Sequence, residues 1–261
     1  LALVRTLREL GVDLATVQRV LAREVSVTEV AEAHADALDV HIATLRLHRA
    51  VLRTVARRGA TPKELELMNK VAQMTAEERR RLVHDFLDET FGTVDDPSGV
   101  EQRMRQAMPD LPDEPGTEQV EAWVELAELV QDPGFRARTR EMAEKGAEMH
   151  ARGDAPSEEE SWQASRTVMD KAGAALADGV EPASEGARPV IDELTAGMAG
   201  ARDDPSSPAF RRELADRLET FSDRRVERYW QLIGTINGWG CTIPSAAAEY
   251  EWFVAGLRAS A

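Results

Sequence analysis

The sequence has a single cysteine, Cys241, and only 13 aromatic residues among its 261 positions. One thiol excludes both a disulfide framework within the chain and a metal site built from several thiolates. No apolar run approaches the roughly 18 residues that a membrane-spanning helix needs, and the first residues do not form the apolar pattern of a secretory leader. We therefore expect a cytoplasmic protein with no membrane partner.

Lysine is also scarce, and acidic residues outnumber basic ones, so the formal net charge is −15. A charge of this sign argues against nucleic acid as the partner of the molecule as a whole. The charge is uneven, however. The first 60 residues carry nine arginines and seven acidic residues, whereas the remaining 201 carry 23 basic and 40 acidic residues. Residues 1–60 are therefore the part of the chain suited to contact a polyanion. The alternative is that this difference in charge is ordinary variation in composition along the chain.

Helical periodicity runs through almost the whole chain, and strand-like alternation is missing. Capping boxes of the form Ser/Thr-x-x-Glu begin at Ser26, Thr61, Thr75, Ser98 and Ser157. Prolines at the preferred first helical position are Pro62, Pro133 and Pro208. We predict an all-α fold with helices near 3–9, 14–24, 27–57, 62–73, 76–91, 99–107, 118–130, 133–151, 158–177, 188–199, 208–234 and 244–258.

The predicted long helix over 27–57 carries a heptad pattern. Leu38, Leu45 and Leu52 recur every seven residues, and Ile42 lies between the first two. This spacing is typical of a coiled-coil seam. A narrow seam on so long a helix needs a partner helix, either in the same chain or in a second copy. We expect dimerisation through Leu38, Ile42, Leu45, Leu52 and Val55.

Three histidines on the same helix, His34, His41 and His48, also repeat every seven residues. Residues seven apart on a helix are separated by about 10.5 Å along its axis, which is too far for one metal ion. We interpret them as half-exposed residues beside the seam. The sequence therefore predicts neither a metal site nor a cofactor.

A short helix, a tight turn and a second amphipathic helix precede the long helix. The turn contains Leu10, Gly11, Val12 and Asp13, and Leu14 and Val17 continue into the second helix. Over residues 1–58 this arrangement resembles the second helix pair and the dimerising helix of MerR-type transcriptional regulators. Val12 replaces the aromatic residue more usual in that family, and Thr16-Val17 replaces its common Glu-Ile pair.

The resemblance implies three parts: the remainder of a DNA-binding domain over 1–26, a coiled-coil dimerisation helix over 27–58 and a helical effector domain over 59–261. It also implies a helix-turn-helix N-terminal to Leu1 that binds promoter DNA, and an antiparallel coiled-coil homodimer. The family distorts promoter DNA so that RNA polymerase engages both promoter elements. Candidate contacts to the DNA backbone are Arg5, Arg8, Arg19 and Arg23, with the solvated face of two small helices as the alternative.

The C-terminal part concentrates the aromatic residues, since eight of the 13 lie between positions 210 and 253. Such rings beside polar side chains are typical of a ligand pocket, and an acidic rim favours a neutral or cationic organic molecule. The alternative is that the rings form the core of the last helices. The candidate ligand-binding residues are Trp123, Trp162, Tyr229, Trp230, Asn237, Trp239, Tyr250 and Trp252.

Common catalytic motifs are missing from the sequence: His-Glu-x-x-His, Gly-x-Ser-x-Gly, the P-loop and Gly-x-Gly-x-x-Gly do not occur. We therefore expect no enzymatic activity. The sequence is interpreted as a dimeric, ligand-responsive transcriptional regulator resembling the MerR type. Two alternatives remain open: a helical protein that sequesters a small molecule, and a dimeric adaptor that does not bind DNA.

Overall fold

The computed structural model describes residues 2–59, 61–94, 99–200, 203–240 and 245–261, and within them the protein is all-α, without strands. The first seven helices are α1 (Ala2–Glu9), α2 (Leu14–Leu21), α3 (Val27–Arg58), α4 (Pro62–Gln73), α5 (Ala76–Phe91), α6 (Val100–Gln106) and α7 (Thr117–Gln131). They are followed by α8 (Pro133–Arg152), α9 (Glu158–Ala177), α10 (Arg188–Gly197), α11 (Pro208–Phe221), α12 (Arg224–Asn237) and α13 (Ala247–Ala259). No helix of these residues is long and apolar enough to cross a membrane.

Local capping signals place most helix starts where the sequence predicts them. Ser26, Thr61 and Ser157 each accept a hydrogen bond from the backbone amide three residues ahead, and the glutamate at that position bonds back to the cap. These bonds satisfy amides that a helix N-terminus otherwise leaves unpaired. The three capping boxes are confirmed, whereas Ser98 and Cys241 lie outside the described residues.

The prediction of one continuous helix over 208–234 is wrong, because α11 ends at Phe221 and α12 begins at Arg224. The Asp223 side chain accepts a hydrogen bond from the Arg225 amide at 2.8 Å and so caps α12. Aspartate competes with helical hydrogen bonding in this way, which favours a break over a continued helix. Helix α2 also ends earlier than predicted, and Arg23 just beyond it has a left-handed φ of 61°.

The chain divides into two compact units. The first comprises Leu1–Thr75 and Leu111–Glu121, and the second comprises Ala76–Asp110 and Ala122–Ala261. In the first unit, Leu7, Val17 and Val30 belong to a small core that joins α1, α2 and the start of α3. Helix α4 packs against α3. The functional division at residues 26 and 58 remains a prediction.

The second unit contains two groups of packed helices. One core joins α9, α10, α11 and α13 and includes Leu214, Phe253 and Leu257. In the other group, the rings of Phe86 on α5, Phe135 on α8 and Tyr229 on α12 contact one another. The part of α7 from residue 122 onward belongs to this second unit and carries the buried Trp123. All five tryptophans therefore lie in the second unit.

Candidate dimerisation surface and candidate binding residues

The predicted coiled-coil seam is exposed to solvent on the isolated chain. Leu38 is 46% exposed, Ile42 43%, Leu45 52% and Leu52 66%. Large aliphatic side chains in a helical row are normally turned towards a core. The four residues follow the 3–4 spacing along one face of α3, so they form a continuous apolar strip, here called the α3 seam.

The opposite face of α3 provides the intramolecular packing of this helix. Leu47, Ala50, Val51 and Thr54 are all buried, and α4 packs against α3. Leu47 follows Leu38 by nine residues, which at about 100° per residue is half a turn around the helix. One face of α3 is therefore covered within the chain, and the α3 seam lies on the other.

The middle of α3 is exposed around its whole circumference, since every residue from 35 to 43 is exposed. Val40, which is 65% exposed, lies about 200° around the helix from Leu38 and so faces away from the α3 seam. Val55, the fifth predicted dimerisation residue, is half-buried. By its position it lies to the side of the seam, between the seam and the face that packs against α4.

Specific hydrogen bonds fix the helix pair before α3. The Arg8 guanidinium donates to the Val12 carbonyl oxygen at 2.9 Å. Asp13 caps α2 by accepting hydrogen bonds from the Thr16 hydroxyl and amide, and these bonds lower the pKa of the Asp13 carboxyl. His34 Nε2 lies 2.9 Å from the Leu10 carbonyl oxygen, so this hydrogen bond ties the turn between the two small helices to α3.

The four arginines predicted to contact DNA are all exposed. Arg5 forms an ion pair with Glu9 at 2.8 Å, and Arg19 lies 3.7 Å from Glu24. These exposed pairs contribute little to stability and leave both guanidinium groups accessible. Arg23 makes no ion pair with any residue that the structure describes. The arginines therefore remain available for an external anion.

The helix pair also exposes three leucines for which the sequence predicts no contact. Leu10 is 63% exposed, and Leu14 and Leu21 are each 58% exposed. Leu14 and Leu21 are seven residues apart and share one face of α2, whereas Val17 and Val20 are turned into the small core. The pair therefore has a second apolar surface that the described residues leave open.

The candidate ligand residues do not all lie together. Trp123 and Tyr229 are each only 1% exposed. The Tyr229 ring lies 5.9 Å from the Phe86 ring and 6.3 Å from the Phe135 ring, centre to centre. Trp230 is half-buried and meets Tyr229 edge to face at 5.6 Å. Tyr229 and Trp230 therefore lie in or beside the core that α5, α8 and α12 form.

Trp252 belongs to the other core of the second unit, where its Nε1 donates to the Val180 carbonyl oxygen at 2.7 Å. Trp162 on α9 is 69% exposed, and the Arg166 guanidinium lies 6.0 Å from the centre of its ring. Trp239 is 47% exposed just beyond α12. These three tryptophans therefore lie in different environments, one in a core and two on the surface.

Asn237 has a structural role in the chain. Its Oδ1 accepts a hydrogen bond from the Asp110 amide at 3.0 Å, and its Nδ2 donates to the Met108 carbonyl oxygen at 3.3 Å. Tyr250 is half-buried, and burial together with the charge of Glu227 raises the pKa of its hydroxyl, although a hydrogen bond from Ser165 opposes this shift.

Two features near Trp123 and Tyr229 were missed by the sequence analysis. The Trp123 indole nitrogen and the Tyr229 hydroxyl are buried without a hydrogen-bond partner. On the surface of the same group of helices, Arg228 binds both carboxylate oxygens of Glu125, with Nε–Oε1 at 2.6 Å. No sequence signal identifies either feature, because both depend on how distant helices pack.

No protein-family model, curated protein or solved structure matches this chain.

Proposed function

We propose that this protein is a dimeric DNA-binding transcriptional regulator of the MerR type that acts in the cytoplasm. In this proposal a helix-turn-helix N-terminal to Leu1 binds promoter DNA, and RNA polymerase is engaged at the promoter. A small organic molecule bound by the C-terminal helices modulates the regulator. The observation that carries the proposal is the exposed α3 seam directly after the helix pair.

The α3 seam favours a second copy as its partner. Covering a half-exposed leucine or isoleucine contributes on the order of 1 kcal/mol, so four such residues on each copy give a substantial driving force. Leu45 lies midway between Leu38 and Leu52. Two antiparallel copies would therefore pair Leu45 with its equivalent and Leu38 with Leu52, which keeps one continuous apolar contact.

The helix pair is suited to the phosphate backbone. Arg5 and Arg8 are three residues apart on one face of α1, and Arg23 is exposed without an ion pair among the described residues. Contacts of this kind position a protein on DNA without reading its sequence. In the proposal, the exposed Leu10, Leu14 and Leu21 pack against the preceding helix-turn-helix.

A salt titration of promoter binding tests the DNA contact. Arg8→Gln and Arg23→Gln remove charge from the helix pair, whereas Arg140→Gln removes an exposed charge from α8 and serves as the matched control. Each lost phosphate contact should reduce the slope of log affinity against log salt by about 0.9. Unchanged slopes in both helix-pair variants would contradict the proposed contact.

The codons upstream of Leu1 separate the regulator from its alternatives. The proposal expects about 60–70 codons that encode two amphipathic helices joined by a short turn and followed by a basic hairpin. An initiator methionine immediately before Leu1 would refute the regulator. A dimer without DNA binding would then be interpreted as an adaptor or as a protein that sequesters a small molecule.

A further inference from the structure

The charged side chains of α3 are separated by sign along the helix. Residues 27–44 contain four acidic residues and no arginine or lysine, whereas residues 46–58 contain five arginines and no acidic residue. The acidic residues are Glu29, Glu32, Asp36 and Asp39, and the arginines are Arg46, Arg49, Arg53, Arg57 and Arg58. Leu45, the middle leucine of the α3 seam, lies between the two halves.

The helix dipole explains only the ends of this pattern. A helix favours acidic residues in its first turn and basic residues in its last turn, and the effect fades beyond those turns. Asp39 and Arg46 are each more than three turns from the nearer end of α3. The charges in the middle of the helix therefore point to an interaction with a neighbouring chain or segment.

Two opposite charges on α3 have no ion-pair partner within the described part of the chain. Arg46 and Arg49 share an intramolecular partner, because Glu114 lies 3.3 Å from the first and 3.9 Å from the second. Asp39 and Arg53 are both exposed, and neither makes an ion pair with any residue that the structure describes. These two side chains are therefore available to a second molecule.

Asp39 and Arg53 flank the α3 seam on the same side. Asp39 directly follows Leu38 and Arg53 directly follows Leu52, so each is about 100° around the helix from a seam leucine. The two residues are two heptads apart and occupy the same heptad position. Charges at positions that flank a coiled-coil seam determine which helix is chosen as partner and in which orientation.

We infer that Asp39 of one copy forms an ion pair with Arg53 of a second copy, and that two such pairs determine how the α3 seams align. The inference rests on the dimer in the proposed function and names the residues that select its partner. Asp39 is six residues before Leu45, so in an antiparallel pair centred on Leu45 it lies at the level of residue 51 of the other copy. Arg53 of that copy is then about 3 Å away along the helix axis.

The symmetry of the pair brings the two charges to the same side. A two-fold axis perpendicular to both helices places the same flank of each copy side by side, so the flank that carries Asp39 meets the flank that carries Arg53. The same axis repeats the contact at the other end of the seam. Each dimer therefore has two Asp39–Arg53 pairs.

Arg46 shares this flank but is a poorer partner for Asp39. In the same alignment Arg46 lies about 7.5 Å along the axis from the level of Asp39 of the other copy. Its guanidinium is also already paired with Glu114. Arg53 is closer and is free of an ion pair among the described residues, so the pairing is assigned to Arg53.

A parallel second copy fits the charges of α3 less well. Parallel seams in register would place the acidic half of one helix beside the acidic half of the other, and the arginines beside the arginines. Like charges at such distances repel and disfavour a partner. An antiparallel copy places opposite charges together along the whole seam.

Charge reversal in the full chain tests the pair. Asp39→Arg and Arg53→Asp each place like charges at both ends of the homodimer, so each should raise the dimer dissociation constant about ten-fold. An equal mixture of the two variants can form a dimer in which both contacts join opposite charges again. Sedimentation velocity should therefore show that the mixture dimerises as tightly as the parent.

Asp36→Arg is the matched control for the single variants. Asp36 is also an exposed aspartate in the acidic half, but it lies about half a turn around the helix from Leu45 and faces away from the seam. This variant makes the same change of charge without altering the proposed pair. Its dimer dissociation constant should stay within about two-fold of the parent value.

Salt gives a second measurement of the same contact. An exposed ion pair is screened by salt, whereas the apolar seam is not, and the Debye length falls to about 3 Å at about 1 M salt. The difference between the parent and either single variant should therefore shrink to less than about two-fold at that concentration. A difference that is independent of salt would show that the substitutions act through something other than charge.

Three further results would overturn the inference: single variants that dimerise as tightly as the parent, a mixture that is no tighter than its components, or restoration by Arg46→Asp in place of Arg53→Asp. In each case the parent still dimerises, so the proposed dimer survives the failure of this pair. A monomeric parent would instead refute the proposed dimer and the pair with it.

Discussion

The Arg211 guanidinium on α11 donates to Asp192 Oδ1 on α10 at 2.5 Å. The same guanidinium donates to the Ser260 hydroxyl at 2.8 Å and to the Pro205 carbonyl oxygen at 3.1 Å. The Arg211 side chain is only 11% exposed, whereas that of Asp192 is 58% exposed. One planar cation thus joins α10, the turn before α11 and the residue after α13.

Replacing Arg211 should destabilise the second unit. Arg211→Ala removes three hydrogen bonds from a buried position, and we expect a loss of about 2–3 kcal/mol in the free energy of unfolding. Urea unfolding followed by tryptophan fluorescence measures this unit specifically, because all five tryptophans belong to it. Arg212→Ala changes an exposed neighbour and should remain within about 0.5 kcal/mol of the parent. A loss of similar size in both variants would contradict the assigned role.

Gly256 marks the close approach of α13 to α10. A Cβ atom at this position would overlap Ile191 Cδ1 and would lie 2.8 Å from Ile191 Cγ1. Gly256→Ala should therefore lower the free energy of unfolding by about 1–3 kcal/mol, because the added methyl group overpacks this contact. Ile191→Val removes the Cδ1 atom and should relieve part of that cost when the two changes are combined. Strictly additive losses in the double variant would show that the two side chains do not compete for space.

Asp223 should make the second unit more sensitive to acid. Burial raises the pKa of its carboxyl, but hydrogen bonds from the Arg225 side chain and amide outweigh this effect, so the folded pKa is lower than usual. A lowered folded pKa stabilises the protein above the unfolded value of about 3.9. This stabilisation is lost as the pH falls below that value towards the folded pKa. The free energy of unfolding should therefore decrease less between pH 6 and pH 3 in Asp223→Asn than in the parent. Equal decreases in the two proteins would contradict the pairing of Asp223 with Arg225.

Local chemistry made much of the fold predictable. Ser26 and Glu29 form the expected capping box, and Asp13 caps α2 as its position in the Leu-Gly-Val-Asp turn indicates. The break at Ser222 and Asp223 was missed, because the hydrophobic period continues across it. A side-chain cap at Asp223 then decided between one long helix and two shorter ones.

The binding residues were less predictable, since clustering in sequence differs from clustering in space. Trp252 and Tyr229 lie near each other in the chain, yet the structure places them in different groups of helices. Phe86, more than 100 positions before Tyr229, instead contacts the Tyr229 ring. Periodicity shows that such rings face inward, but only the packing of α5 and α8 against α12 decides which rings meet.

The α3 seam supports the central claim, and sedimentation equilibrium tests it most directly. The 261-residue chain should sediment at twice its own mass of 28.8 kDa. Leu45→Glu places a charge in the middle of the seam and should yield a monomer. Val40→Glu is the matched control: Val40 is similarly exposed on the same helix but faces away from the seam, so this variant should remain a dimer. A parent protein that sediments as a monomer, or a Leu45→Glu variant that still sediments as a dimer, would contradict the account.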